Sequence, residues 1–469
     1  MPNQAEILIE GQRVLQIAPA GYGKTYLIAK AITYCTDGKQ LILTHTHAGV
    51  RSIQAKLNHL QVSTKKYEVN TIAGWALKLA STFPFLSQLK DFSPTSNNNW
   101  QDVYSALSIL IKNNSIKRII QATYKGLFVD EYQDCTIRQH LLILALADIL
   151  PCRILGDPFQ GIFDFDKNES IVDWDKDIYP EFIKLDDLTI PWRWQLVNNS
   201  RLGETLKTLR GALENGTPFD LRTPPIRWIK NEDNNQLKQC YSFANKKLET
   251  TVAIHQLPYQ CNIIARNLRG TYGILEPLEC GDLFTSISRI EKTKNFKRVL
   301  NIIDFAAKCM TNINASLKTA CLHWNRGEIA RIISTTKYSG LITVLNKIAQ
   351  SDELSIISEA LPLFRTIEDS FLFRKELWYE MSRTFTLYKK ASGNSSLHDI
   401  AWNIRNQHKN QVRRIDDRII SRTLLVKGLE FDNVIVLDAN NLDKKNLYVA
   451  MTRGTKNLVV LSDDPIINL

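Results

Sequence analysis

At 469 residues the chain is too long for one ordinary hydrophobic core and implies two to four domains. A formal net charge of +11 suits a polyanionic partner such as nucleic acid, although many basic proteins have none. The eight cysteines are dispersed, with no C-x-x-C pair and no zinc-like Cys/His spacing, which argues against a disulfide scaffold or a zinc module and for reduced core thiols.

The chain opens on "MPNQAEILIEGQ", which lacks the charged and apolar regions of a signal peptide. Val14 to Ile17 is a short, mainly apolar run that predicts a buried strand, and Leu27, Ile28, Ala31, Ile32 and Cys35 then recur at helical spacing. Between them "APAGYGKT", Ala18 to Thr25, fits the phosphate loop G-x-x-x-x-G-K-[ST] at every defining position except the first, where Ala18 replaces glycine. In such a loop the backbone around Ala20, Gly21 and Gly23, together with the helix N-terminus, surrounds phosphate oxygens. Lys24 adds a point charge and the Thr25 hydroxyl can hold Mg²⁺. The alternative is a glycine turn before a buried helix with a solvated lysine, and the loop alone does not decide between them.

Further strands are predicted at "LILT" from 41, "LFVDE" from 127, "RILGD" from 153, "NVIVLD" from 433 and "NLVVLS" from 457. Helical patterns separate most of them, which predicts an α/β protein with parallel sheets and ligands at the strands' carboxyl ends. The runs form an early and a late group, so two cores are expected. Residues 81–120, with the turn-rich "DFSPTSNNNW" and the basic, apolar-periodic "LSILIKNNSIKRIIQATYK", predict a small helical insertion. The longest apolar run, "HLLILALADIL", contains Asp148 and is too short to span a bilayer, so a soluble, cytoplasmic protein without a membrane partner is expected. Residues 284–409 read as almost entirely helical, as in "RVLNIIDFAAKCM" and "GLITVLNKIAQ".

Two acidic or amide-bearing strand ends complete a candidate site. In "GLFVDEYQDCT" Asp130 can hold Mg²⁺, directly or through water, and Glu131 can orient and deprotonate a water molecule; otherwise the pair is a solvated strand end. In "RILGDPFQGIFDF" the strand ends at Gly156 and Asp157, with Gln160 three residues on.

In this order the motifs resemble the superfamily 1 helicases, specifically the UvrD/Rep/PcrA group. "NQAEILIEG" is similar to that family's adenine-reading segment, "LILTHTHAGVRSIQAKL" to its "LTFTNKAA" segment and "NTIAGWALKLA" to "TFHSFALRLL". "PWRW" resembles "NYRS", "CNIIARNLR" resembles the strand "AILYRTN", and "VKGLEFDNVIVL" and "NLYVAMTRGTKNLVVL" resemble motifs V and VI. The resemblance implies two RecA-like motor domains with helical insertions: 1–80 and 121–222 for the first, 81–120 as its insertion, 223–283 and 410–469 for the second, and 284–409 as the other insertion.

It also implies roles: ATP and Mg²⁺ held by Lys24, Thr25 and Asp130, water activated by Glu131, and the γ-phosphate sensed by Gln160. Arg193 and Arg453 would face each other across the cleft between the two cores, Arg453 belonging to the second. Gln4 and Trp192 occupy the adenine positions and Glu430 the ribose position. Single-stranded or partly duplex DNA is the implied partner, met by Thr44, His45, Thr71, Phe163 and Phe165; the two phenylalanines either stack bases or belong to the core.

Departures from the family concentrate at the DNA positions. Asp166 stands where a basic residue is usual, His45 replaces phenylalanine, Ile72 and Ala73 replace "FH", Leu424 replaces a histidine, and Tyr26 a residue that is often basic. The insertions are also short for the family. The expected function is thus an ATP-dependent DNA translocase or helicase, moving 3′ to 5′ in defence or repair. The alternative is a DNA- or partner-gated ATPase subunit that regulates or recruits a nuclease, as the helicase-like subunit of Gabija antiphage systems works with one. A binding protein with a degraded site is the third possibility, against which the intact Lys24, Glu131, Arg193 and Arg453 argue.

Overall fold

The computed structural model describes residues 4–89, 100–162, 170–232, 234–245, 248–277, 280–391, 395–410 and 416–468. Contacts divide the chain into two compact units, 1–225 with 442–456 and 466–469, and 226–441 with 457–465. Phe163, Phe165 and Asp166, and all of "DFSPTSNNNW" except Trp100, lie outside the described residues.

The first unit is built on a parallel sheet of β1 (Arg13–Ile17), β2 (Lys39–Thr44), β3 (Tyr67–Thr71), β4 (Tyr124–Val129), β5 (Cys152–Gly156) and β6 (Ile183–Lys184), in the order β3-β2-β4-β5-β1-β6. Continuous apolar runs form its central strands because helices cover both faces, and Leu41, Ile42, Leu43, Leu127, Phe128, Val129, Ile154 and Leu155 are all wholly buried. The order puts β4, β5 and β1 side by side, so the carboxyl ends carrying the acids, Asp157 and the glycine loop are neighbours.

The helix Trp100–Ile111 of the expected insertion shares this core rather than forming its own: Val103, Tyr104, Leu107 and Leu110 pack in one cluster with Leu15, Leu41 and Leu127. A short antiparallel pair, β7 (Phe219–Asp220) with β14 (Ile466–Ile467), also belongs to the first unit.

A second sheet comprises β8 (Arg227–Lys230), β9 (Thr251–Ile254), β10 (Gly273–Ile274), β11 (Arg418–Ser421), β12 (Phe431–Val436) and β13 (Gly454–Ser462), ordered β10-β11-β9-β12-β13-β8, and belongs to the second unit apart from the first three residues of β13. The two sheets give the α/β class with parallel sheets expected from the sequence.

One expected strand is corrected. "CNIIARNLR" is helix, Pro258–Asn267, and the strand is the preceding Thr251–Ile254. Cys261, Ile264, Ala265 and Leu268 fall on one face at helical spacing and are buried, and Pro258 sits at the helix start, where its missing N–H costs nothing.

Between β10 and β11 the chain runs through a helical layer with its own core. Val299, Ile302, Ile303 and Ala306 line one face of the helix Asn295–Cys309. The Trp378 indole, 1% exposed, stacks on Phe305 at 5.8 Å between centroids and meets Phe364 edge-on at 6.0 Å. No described helix is long and apolar enough to cross a membrane.

Trp378→Ala should remove this centrepiece and destabilise the layer by about 3–5 kcal/mol, read as an earlier unfolding midpoint in denaturant.

Candidate active site

β1 delivers the chain into a loop whose two glycines adopt left-handed backbone conformations, Gly21 at φ 79° and Gly23 at φ 87°. Glycine is needed at Gly21 for space as well as conformation, since a Cβ there would lie 2.8 Å from Trp194 Cζ3 and 3.0 Å from Arg193 Cβ. Trp194 is wholly buried and its indole N–H donates to the Gly454 carbonyl at 2.8 Å. Trp192, its neighbour, stays 47% exposed beside Gly23, so a flat apolar face remains open at the mouth of the loop. The Arg193 amide donates to Gly21 O at 2.9 Å and its guanidinium to Thr452 O at 2.6 Å.

The helix Lys24–Tyr34 starts directly after the loop. Lys24 is 8% exposed and its Nζ lies 3.0 Å from Glu131 Oε2. Burial works against the Lys24 charge, yet the pull of Glu131, Asp130 and Asp157 outweighs it and raises the pKa. Burial, then the charge of Glu131, push the Asp130 carboxyl up to about 7 against the opposing pull of Lys24. Thr25 Oγ1 donates to Asp130 Oδ2 at 3.5 Å, and the Glu131 amide donates to Asp130 Oδ1 at 2.9 Å. Glu131 takes φ 56°, an unusual conformation for a residue with a Cβ, which turns its carboxylate toward Lys24.

Two neighbouring carboxylates facing one lysine leave negative charge to be balanced. A hard divalent cation fits the oxygens of Thr25 and Asp130, and the glycine loop beside them fits phosphate.

Side-chain amides extend the cluster to β5. Gln133 Nε2 donates to Glu131 Oε2, and Gln133 Oε1 accepts from the Asp157 amide at 3.0 Å. Gln160 Nε2 donates to Asp157 Oδ2 at 2.9 Å, and Gln160 Oε1 lies 3.5 Å from Arg453 Nη2. Arg453 is 1% exposed, its Nε bonded to Val449 O at 2.9 Å.

Its place differs from expectation: residues 442–456 pack with the first unit, because Leu447, Tyr448, Ala450 and Met451 bury the helix Lys444–Met451 against the helix Ser200–Asn215 and the turn Pro158–Gln160. Lys24, Thr25, Asp130, Glu131, Gln160, Arg193 and Arg453 are therefore gathered within one unit. Arg210 and Tyr448 also enter this cluster, as does Asp157; nothing in the pattern around Arg210 signals it, whereas Tyr448 stands five residues before Arg453 in a quoted motif.

The remaining candidates are more scattered. Gln4 is exposed at the start of the helix Gln4–Glu10, which packs on the loop's helix. Glu430 is exposed in the second unit, ahead of β12. Thr44 and Thr71 are register partners at the carboxyl ends of β2 and β3, so the sheet brings them together. Thr71 Oγ1 already caps a helix by accepting from the Gly74 amide at 3.0 Å, and His45 Nε2 lies 3.4 Å from Cys135 Sγ.

Residues 96–172 match the family model of the UvrD/REP helicase N-terminal domain. No curated protein matches the chain by sequence. Among solved structures it is similar to the Pif1 helicase from Candida albicans, with 11% identity and a TM-score of 0.42, covering 99% of this chain and 95% of that one. It is also similar to a Bacteroides Pif1 helicase in complex with ADP-AlF3 and single-stranded DNA, with 11% identity and a TM-score of 0.40, covering 98% and 91%.

Gly21→Ala should force a Cβ into Trp194 at a positive φ and spoil the loop. Titration with a fluorescent nucleotide is expected to show at least a roughly tenfold loss of affinity, corresponding to the ~1–2 kcal/mol left-handed penalty plus the clash.

Proposed function

We propose that this chain is a superfamily 1 helicase of the UvrD/Rep type that hydrolyses ATP in its first unit and uses the energy to move along single-stranded DNA. The observation that carries this reading is the cluster of Lys24, Thr25, Asp130 and Glu131 around a glycine loop, with Gln160 and Arg453 in contact beside it.

Before nucleotide arrives, Lys24 and Glu131 neutralise each other. Phosphate in the loop draws Lys24 away, which frees the Glu131 carboxylate to accept a proton from the attacking water. Thr25 and Asp130 would hold Mg²⁺, which would supply charge neutralisation toward the nucleotide. Arg193 and Arg453 neutralise charge developing on the transferred phosphoryl group, a task suited to a permanent charge with a planar fork of donors. Gln160 reports the γ-phosphate, and Gln4 and Trp192 hold the base. Thr44, His45 and Thr71 lie along the DNA path, and by resemblance to UvrD-like enzymes the movement is 3′ to 5′.

A second reading is an ATPase gated by DNA or by a partner that recruits a nuclease in defence or repair, with little unwinding of its own. It is favoured by the internal engagement of Thr71 and His45, which leaves less of those side chains for DNA.

Steady-state ATP hydrolysis with and without single-stranded DNA tests the first reading. Stimulation by DNA is expected, with Lys24→Ala and Glu131→Gln each losing roughly 10²–10⁴-fold in turnover, while Glu131→Gln still binds ATP. Loss of nucleotide binding in a folded Glu131→Gln protein would contradict the role given to Glu131. Displacement of a labelled strand from partly duplex DNA with a 3′ tail, but not a 5′ tail, is expected for the motor. Hydrolysis indifferent to DNA, without displacement on either substrate, would favour the gated subunit.

A further inference from the structure

Asp157 closes β5 and is 0% exposed, yet it is not among the residues that hold phosphate, metal or water. Its carboxylate accepts from the Phe159 amide at 3.1 Å, from Gln160 Nε2 at 2.9 Å and from Arg210 Nη1 at 2.6 Å. A carboxylate so buried needs a cation against it to offset its lost hydration, and Arg210 on the helix Ser200–Asn215 is that cation. The Arg210 guanidinium also lies over the rings of Phe159, at 5.2 Å, and Tyr448, at 5.5 Å, and its Nε is 2.8 Å from Glu214 Oε1.

The same Arg210 Nη1 lies 3.3 Å from Tyr448 Oη, and that hydroxyl accepts a second hydrogen bond, at 3.3 Å, from the Ala20 amide in the glycine loop. Tyr448 is buried on the short helix that leads to Arg453. A continuous set of polar contacts thus runs from the loop backbone at Ala20 through Tyr448, Arg210 and Asp157 to Gln160, whose Oε1 faces Arg453.

The orientation of the Gln160 amide follows from this set. With its Nε2 donating to Asp157, its oxygen is the atom turned to Arg453. If Arg210 were lost, Asp157 would be a buried carboxylate without its cation and would compete for other donors, releasing Gln160.

We propose that Arg210 and Tyr448 are positioning residues for ATP turnover: they couple the phosphate loop to the Gln160 and Arg453 side chains, so that the loop's occupancy sets the geometry of both. Neither touches the reacting atoms. The inference rests on the ATPase reading of this site. A purely architectural ion pair would stabilise the unit without acting through Gln160, and this difference makes the proposal testable.

The experiment uses the full chain with Tyr448→Phe, which removes one hydroxyl and keeps the ring, and Arg210→Lys, which keeps the charge and loses the fork. Each is made in the native and the Gln160→Ala backgrounds. Steady-state ATP hydrolysis, fluorescent-nucleotide affinity and thermal unfolding are measured for all. The expected result for Tyr448→Phe is a fall in kcat of roughly ten- to a hundredfold, the scale of a misplaced group, with nucleotide affinity and unfolding temperature nearly unchanged. The Gln160→Ala background should lose little further when Tyr448→Phe is added, because both changes break the same route. Arg210→Lys should fall between the native protein and Tyr448→Phe, and it carries the test should Tyr448→Phe fail to fold.

Native kcat in either folded variant, or losses that multiply with Gln160→Ala, would overturn the inference while leaving the ATPase reading intact. Absence of ATP hydrolysis by the native chain, with and without single-stranded DNA, would overturn that reading and this inference with it.

Discussion

Lys24 carries a charge that a buried position cannot hold alone, and the arrangement around it answers that constraint. Its ammonium reaches Glu131 because the phosphate-loop strand and the acidic strand are separated by one strand, β5, in a parallel sheet whose carboxyl ends lie level. Burial, and then the charge of Glu131 beside it, push Asp130 toward its neutral form against the pull of the lysine. A site poised in this way gains from a cation and from phosphate together, since each relieves charge that the other leaves unbalanced.

The neighbouring buried ion pair of Asp157 and Arg210 follows the same rule with both partners supplied by the protein. It costs desolvation, which the aromatic faces of Phe159 and Tyr448 and the flanking hydrogen bonds offset in part. Such a network has few alternative arrangements of equal energy, because each lost partner strands another polar group. That intolerance suits it to hold side chains on three segments, the turn at Gln160, the helix bearing Arg210 and the helix leading to Arg453, in a single geometry.

Much of the architecture was legible in the amino-acid order. Apolar runs ending in polar residues placed β2, β4, β5, β12 and β13, because a strand buried on both faces must be apolar throughout. The helical layer between β10 and β11 was equally plain from its spacing. "CNIIARNLR" was less so: a short apolar run reads alike as strand or as one helix face, and the proline before it, with Thr251 to Ile254 already paired in the sheet, resolves the choice only when the neighbours are present. The helix Trp100–Ile111, expected from sequence as part of a small helical insertion, completes the core of the first sheet with its apolar face.

For the site, sequence by itself determined which chemical groups stand close along the chain: a glycine loop with Lys24 and Thr25, an acid pair at a strand end, and an amide at Gln160. These follow from residue types at fixed short spacings, where local geometry leaves little freedom. Tertiary structure decided which distant groups complete it. Arg453 belongs with the first unit, since the apolar side of the helix before it finds its partners there. Arg210 matters because a buried Asp157 must be neutralised, and His45 and Thr71 are engaged within the protein. No spacing rule reports such pairings, for they depend on which charges lose their water when the elements pack.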